Sequence, residues 1–549
     1  MVLGVLVASP ALNSGLLADD FGQRTFILAK LEGKTDRPWW DMFVLIGQSS
    51  AELERLRFRG AIPWWSSTEV HVAFWRPLTA ATHYLDHALW PERPALMHLH
   101  QLLWHGLACG LAWLLFRRLA SSPAAAGAAA LGFSLTHLHL SATAWLAHRN
   151  GVVVLVFALL TLLAHERWRR ERERTAAVLA ALAFMATLLG GELGVAVLGF
   201  IVAHALVLDD APLGRRLLAV LPYLVVLVVW RLVYDALGYG AVGSGVYIDP
   251  LAEPGRWLAL APRRLSQMLV YALGPPGSIG GASPWRIIGA LVVALALASM
   301  LGDRGAQPRA RRLGFALVGL VLSLVPLTTT AAHDRVLVLA SVATTLAYGE
   351  LLAAALDSEP LIVRVAALVV GLCHYLLSPL AAIAVSTQVE HLNMSDTRYP
   401  IAAELDDARL RRQSLVIVHS PDLLAATGLP QARVARGLQR PNFTWVLHAE
   451  PGDPPFARQV GPRTLELEDP RGWAGSPETS LMRSQAQPFA VGDRVETLDF
   501  VVEVVRVDEG RPTEVQIEFR APLDDPSFVV ATWGGADFEL CPGATACPE

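Results

Sequence analysis

Two adjacent carboxylates, Asp19 and Asp20, follow directly on an apolar run that starts at Met1 (NSGLLADDFGQR). Neighbouring acids raise each other's pKa, so such a pair can take a proton from an incoming hydroxyl or hold a cation. A solvated acidic helix end would have the same sequence. What gives the pair interest is the charge placed elsewhere. Glu192, Arg149, Arg231 and Arg335 all lie near the ends of long apolar runs. A charge at bilayer depth costs about 2.5–3.5 kcal/mol on insertion scales, so these groups should face a cavity or one another, or snorkel to the interface. Six histidines, His83, His98, His100, His105, His137 and His139, suggest metal ligation, but their spacings match no zinc pattern.

The elements that must position these residues follow from composition. Of 549 residues, 53% are hydrophobic and 17% charged, and the mean hydropathy is +0.41. That much apolar surface cannot be hidden in one water-soluble core, so the bilayer must serve as solvent. The net charge is -4, and the basic residues fall in short clusters between apolar runs, which argues against a nucleic-acid partner and for membrane topology. Cys109 and Cys373 sit inside apolar runs, whereas Cys541 and Cys547 occupy a Gly/Pro-rich tail where a small disulfide loop would fit an oxidising compartment.

Apolar runs near residues 1–17, 96–116, 123–138, 150–165, 175–190, 193–208, 217–234, 285–301, 313–330, 335–356 and 361–385 predict about eleven spans. The first lacks a basic flank and is interrupted by Pro10, Asn13 and Ser14, so it is taken as a membrane helix rather than a signal peptide, with a start upstream of Met1 left open. Arg117 and Arg118, the HERWRRERERT segment, Arg215 and Arg216, and the Arg304–Arg312 cluster mark alternate loops as cytoplasmic. The N-terminus is then inside, and the loops at 18–95, 139–149, 235–284 and 331–334 are outside, with everything after about 386. Trp39, Trp40, Trp64, Trp65, Trp75 and Trp90 in the 18–95 loop predict interfacial helices along the outer leaflet. The 235–284 loop predicts an irregular stretch followed by an interfacial or re-entrant helix. After a linker at 386–400, the runs SLVIVHS, RVETLDFVVEVVRV, TEVQIEFRAP and SFVVATW predict short strands, hence a small β-rich domain over 401–549.

Four segments resemble GT-C membrane glycosyltransferases of the protein O-mannosyltransferase type, specifically the membrane core of members that carry TPR tails. FWRPLTAATHYLDHALWPERPALMHLHQLLWHGL resembles the family's (Y/F)RPL step and its H-L-x-N-x-L-x-H motif, with Arg76, Pro77, Leu78, His98 and His105 matching and Asp86 and Gln101 where asparagine is usual. FSLTHLHLSATAWLAHRNG matches at His137, His139, Trp145 and Arg149, and departs at Leu138, Ser141 and His148 from a proline, a glutamate and a glycine. TLLGGELG keeps the acid as Glu192 but has Gly191 for a lysine, and PLTTTAAHDRVLVLAS keeps Arg335, with Asp334 in the acidic position. The likeness covers roughly residues 10–350, and neither the TPR repeats nor a counterpart of the C-terminal domain is shared.

The resemblance implies a GT-C-like transmembrane domain over 1–385 and an inverting sugar transfer outside the cytoplasm from a polyprenyl-phosphate donor. The acceptor is a protein, lipid or glycan. Asp19 or Asp20 would act as general base, and Arg76, Arg149 and Arg335 would bind lipid phosphate, for which arginine's planar fork is suited. His98, His105, His139 and Glu192 complete the implied substrate-binding set. No cofactor is required, although a divalent metal such as Mg or Mn could sit on the paired aspartates. The C-terminal domain would bind acceptor or glycan, or serve as a stabilising cap. Alanine, leucine and arginine richness with little lysine points to a bacterial inner membrane, with the C-terminal domain periplasmic. Two rivals are a catalytically inactive relative acting in cell-envelope assembly and a lipid or sugar transporter, although repeat-like halves with broken helices are not evident.

Overall fold

The computed structural model describes residues 1–277, 283–302, 307–357, 360–388, 393 and 399–541. The chain forms two compact units: Met1–Val44 with Phe74–Tyr239 and Pro254–Glu390, and Leu45–Ala73 with Gly240–Glu253 and His391–Glu549. The chain passes between them near residues 44, 73, 239, 253 and 390. All five positions fall in segments that the arginine bias assigns to one side.

The first unit is helical. Among its described residues six helices are long and apolar enough to cross a membrane: Pro94–Leu119, Leu146–Glu171, Leu213–Ala236, Pro284–Leu301, Gln307–Leu327 and Leu361–Thr387. Val2–Asn13, Pro123–Leu135, Arg174–Gly190 and Glu192–Leu208 are apolar but shorter. Their apolar faces remain widely exposed, as at Val228, Val229, Leu291, Leu295 and Leu368, which in a water-soluble protein would be untenable in such number. Without a hydrophobic driving force between helices in lipid, close packing must hold them, and small residues allow it. A Cβ on Gly349 would lie 2.3 Å from the Ala125 carbonyl, and one on Gly199 would lie 2.3 Å from the Ser323 amide. These glycines set the contacts of helix Ala340–Ala354 with Pro123–Leu135 and of Val197–Ala203 with Gln307–Leu327. In the 235–284 region the helix is Pro254–Leu273, with Pro262 inside it. Arg264 is buried and donates to the Thr328 carbonyl at 2.9 Å.

The second unit holds two larger sheets. Strands Ser414–Ile417 and Phe443–Val446 run parallel, with helix Leu423–Ala435 between them, and Phe528–Trp533 joins the other side, also parallel; Phe538–Leu540 closes the edge antiparallel. The second sheet is antiparallel throughout, in the order Phe456–Gly461, Thr464–Glu468, Arg511–Phe519, Phe500–Asp508 and Arg494–Glu496. The four runs expected as strands do form strands, and the structure adds a parallel layer with its own helix, which alternation alone does not mark. Asp422 caps that helix by accepting from the Ala425 amide at 2.7 Å, the local signal that the sequence carries for it.

The tryptophan-rich loop departs from expectation. Trp64 and Trp65 do not lie along a leaflet: they are 2% and 0% exposed in the core of the second unit, beside Trp445, Trp473 and Phe489. Trp64 Nε1 donates to the Leu447 carbonyl at 3.0 Å. Residues 45–73 and 240–253 therefore belong with the C-terminal segment, so the domain is not confined to 401–549. Burying an indole against protein satisfies it as well as an interface does, provided its N–H finds an acceptor. Cys547 lies outside the described residues, so the Cys541–Cys547 loop does too.

Candidate active site

The chain reaches the acidic pair through a strained residue. Ala18 has φ 41° and ψ -110°, a region that L-residues other than glycine rarely occupy, and helix Asp19–Leu31 begins immediately after it. The strain is held by Asp20, which is 4% exposed. Its Oδ2 accepts from the Leu17 amide at 2.8 Å and its Oδ1 from the Ala147 amide at 2.6 Å. Trp145 adds a third tie, donating from Nε1 to the Leu17 carbonyl at 3.3 Å. Asp20 thus locks the turn at 14–20 to the segment that opens helix Arg149–Glu171, and both its oxygens are engaged in doing so.

Asp19 is placed differently. It is exposed to solvent, yet protein crowds it enough to push its carboxyl pKa up, with the opposing charge of Arg335 holding it down in part. Arg335 belongs to the short turn Asp334–Leu337 and is half-buried. Among the described residues its guanidinium makes no ion pair, whereas Asp334 beside it is bound to Arg286 at 2.7 Å. Arg335, Arg76 and His333 all lie within electrostatic reach of His148. Arg76 meets Glu192 at 2.7 Å and rests over the rings of Phe74 and Phe43, at 4.5 and 5.1 Å. A Cβ at Gly191 would stand 3.2 Å from Asn150 Nδ2, a tight contact, and 3.6 Å from Arg76 Nε, an ordinary one. The guanidinium of Arg76 passes close to where a lysine at 191 would begin. One carboxylate, two arginines and two histidines from distant segments are therefore gathered around the start of helix Arg149–Glu171.

No family model matches this chain, and no curated protein matches it. Among solved structures it is similar to the archaeal oligosaccharyltransferase AglB from Archaeoglobus fulgidus, in complex with an inhibitory peptide and a dolichol-phosphate. That match has 11% identity and a TM-score of 0.43, and covers 81% of this chain and 64% of the archaeal one. So distant a likeness carries no functional argument, and the site has to be judged on its own residues.

Arg149 is corrected by the structure. Expected to bind lipid phosphate, it is 0% exposed. It meets Asp86 Oδ2 at 2.5 Å as a charge contact outside good hydrogen-bond alignment. Its remaining donors go to Gln101 Oε1 at 3.2 Å, the Thr82 carbonyl at 3.3 Å and the Met97 carbonyl at 3.0 Å. Four of its five N–H donors are so engaged, and the whole side chain is shut away from solvent. His98 is also internal, bound to the Gly15 carbonyl at 2.8 Å; His139 is bound to Ser341 Oγ at 2.9 Å, and His105 sits 3.7 Å from Cys109 Sγ. All three histidines are buried and pack helices together. His148 and His333, not among the expected residues, are the ones near Arg335. Arg231 pairs with Asp235 on its own helix at 2.9 Å. As for a metal, Asp20 already gives both oxygens to backbone amides, so the pair offers one free carboxylate. Among the described residues no three metal-ligating side chains converge. The residues present do not fit a protein-held divalent ion.

Burial pushes the Asp20 carboxyl up to about 8, against the two amide donors and Arg149, with the charge of Asp19 adding to the rise. Its unfolded value is the ordinary 3.8. The folded state thus keeps a proton that the unfolded chain gives up, so the stability this group contributes is full in acid and is lost as pH rises from about 3.8 through about 8. Unfolding midpoints of the detergent-solubilised protein should fall across that window, and Asp20→Asn should flatten the fall. Parallel pH profiles for the two proteins would refute the assignment.

Proposed function

We propose that this integral membrane protein is a GT-C-type glycosyltransferase, moving a sugar from a polyprenyl-phosphate donor to an acceptor on the non-cytoplasmic side. The observation that carries the reading is Asp19, exposed at the strained start of its helix and within electrostatic reach of Arg335, whose guanidinium enters no ion pair among the described residues. A carboxylate whose pKa is raised makes a stronger base, and it remains accessible to an acceptor. Asp19 takes the acceptor proton as the acceptor oxygen bonds to the anomeric carbon. The bond from that carbon to the phosphate oxygen breaks, its electrons pass to the leaving lipid phosphate, and Arg335 neutralises the charge that builds there. A single displacement of this kind inverts the anomeric centre. Arg76, held by Glu192 and two aromatic rings, would direct a second positive charge at the same phosphate. The second unit would engage the acceptor, and the membrane would be a bacterial inner membrane.

The test uses membranes containing the protein and a polyprenyl-phosphate sugar. Arg335→Ala should lower kcat/KM by about 10²–10³, the usual loss on removing a group that stabilises developing charge. Arg335→Lys should recover only part of it, because an ammonium lacks the planar fork. Unchanged transfer by Arg335→Ala, with expression intact, would sink the proposal.

A further inference from the structure

At the far end of helix Arg149–Glu171 lies a cavity of about 840 Å³. Twenty-three residues at about 1.5 Å each put it roughly 34 Å along the helix from Arg149, far from the acidic pair. Its walls come from five segments: the end of this helix, the turn into Arg174–Gly190, residues 204–212, helix Leu213–Leu218, and Arg311 with Arg312. Arg172 ends the first helix in the left-handed conformation, φ 60°, which swings the chain around the opening. Helix Val197–Ala203 passes into a π-helical turn, His204–Leu208, a distortion that often marks functional positions.

Seven arginines line the space against three carboxylates. Three of them build the walls. Arg169 meets Asp209 at 2.7 Å, Arg170 reaches Glu166 at 3.6 Å, and Arg311 meets Asp210 at 2.5 Å while donating to the Val207 and Leu208 carbonyls of the π turn. Glu166 is further bound to His204 Nε2 at 2.7 Å. The other four, Arg172, Arg174, Arg215 and Arg312, enter no ion pair among the described residues. A topological bias toward arginine at this end explains the charge but not its convergence on a cavity of ligand size.

We infer that this cavity binds a phosphate-bearing anion, either a soluble diphosphate or the phosphodiester headgroup of an anionic lipid. Guanidinium groups from several segments can surround phosphate oxygens with paired donors. The paired arginines keep the cavity open while the unpaired ones meet the ligand. The binding is independent of the transferase reading, since it is measured without sugar transfer.

The experiment uses the full-length protein in lipid nanodiscs. Inorganic pyrophosphate is titrated into phosphatidylcholine discs and the unfolding midpoint is followed; the midpoint is then compared between phosphatidylcholine and phosphatidylglycerol discs. At least one probe should stabilise the protein saturably. Which one does so identifies the source of the phosphate. Arg172→Gln with Arg215→Gln should weaken that response at least about tenfold, while the charge-matched pair Arg117→Gln with Arg364→Gln, outside the cavity, should change it less than about twofold. If the glutamine pair fails to fold, Arg172→Lys with Arg215→Lys takes its place and should weaken the response about threefold through loss of paired donors. No saturable response to either probe, or an equal loss in the cavity and control pairs, overturns the site.

Discussion

Asp19→Asn should lower sugar transfer by about 10²–10⁴-fold, the range associated with a positioned general base, while leaving expression and the unfolding midpoint close to those of the parent. The side chain is exposed and holds no part of the fold, so only the proton-accepting function is lost. Asp20→Asn should behave in the opposite way. Its carboxyl clamps two backbone amides, and an amide side chain must turn its NH₂ toward one of them, leaving a buried donor unsatisfied at about 1–3 kcal/mol. Transfer from a radiolabelled polyprenyl-phosphate sugar, measured per folded molecule, separates the two. Full activity in Asp19→Asn would remove the proposed base. Loss in Asp20→Asn without loss of stability would move that role to its neighbour.

Arg149→Met should be among the most damaging single changes to stability. It strands the carboxyl of Asp86, itself 0% exposed, with His100 at 2.7 Å as its one remaining side-chain partner among the described residues. Breaking one side of a buried ion pair typically costs about 3–5 kcal/mol. Replacing both partners, Arg149→Met with Asp86→Leu, should restore much of the loss, because the penalty comes from an uncompensated charge rather than from the missing attraction. Unfolding in detergent measures both. A stable Arg149→Met protein with transfer reduced tenfold or more would instead return Arg149 to the lipid phosphate.

These two residues also show what the sequence can and cannot reveal. Arg149 and Arg335 look alike on paper: each is a cation at the edge of a long apolar run. Which of them meets a buried anion, and which enters no ion pair among the described residues, depends on tertiary contacts that neither spacing nor hydropathy records. Asp86 and Gln101 both contact Arg149, and a buried carboxylate needs a cation beside it. The acidic pair was visible because charge beside an apolar run is rare. Its division of labour was not, since Asp20 differs from Asp19 only by pointing toward the Ala147 amide. The strands of the second unit were legible from alternation and turn residues. Its inclusion of Trp64 and Trp65 was not, because an indole favours a lipid interface and a protein core for the same reasons.

The discontinuous second unit places a demand on synthesis. Trp64 and its hydrogen-bond acceptor at Leu447 are 383 residues apart. At roughly 5–20 residues per second, the ribosome needs on the order of 20–80 s to supply the later segment. For that interval Trp64 and Trp65 have no core to enter, while the intervening membrane helices are being inserted. The early loop must be sheltered by the membrane surface or by a chaperone until the last third of the polypeptide emerges. Pulse-labelled chains truncated before residue 400 should expose this segment to proteolysis that the finished protein resists.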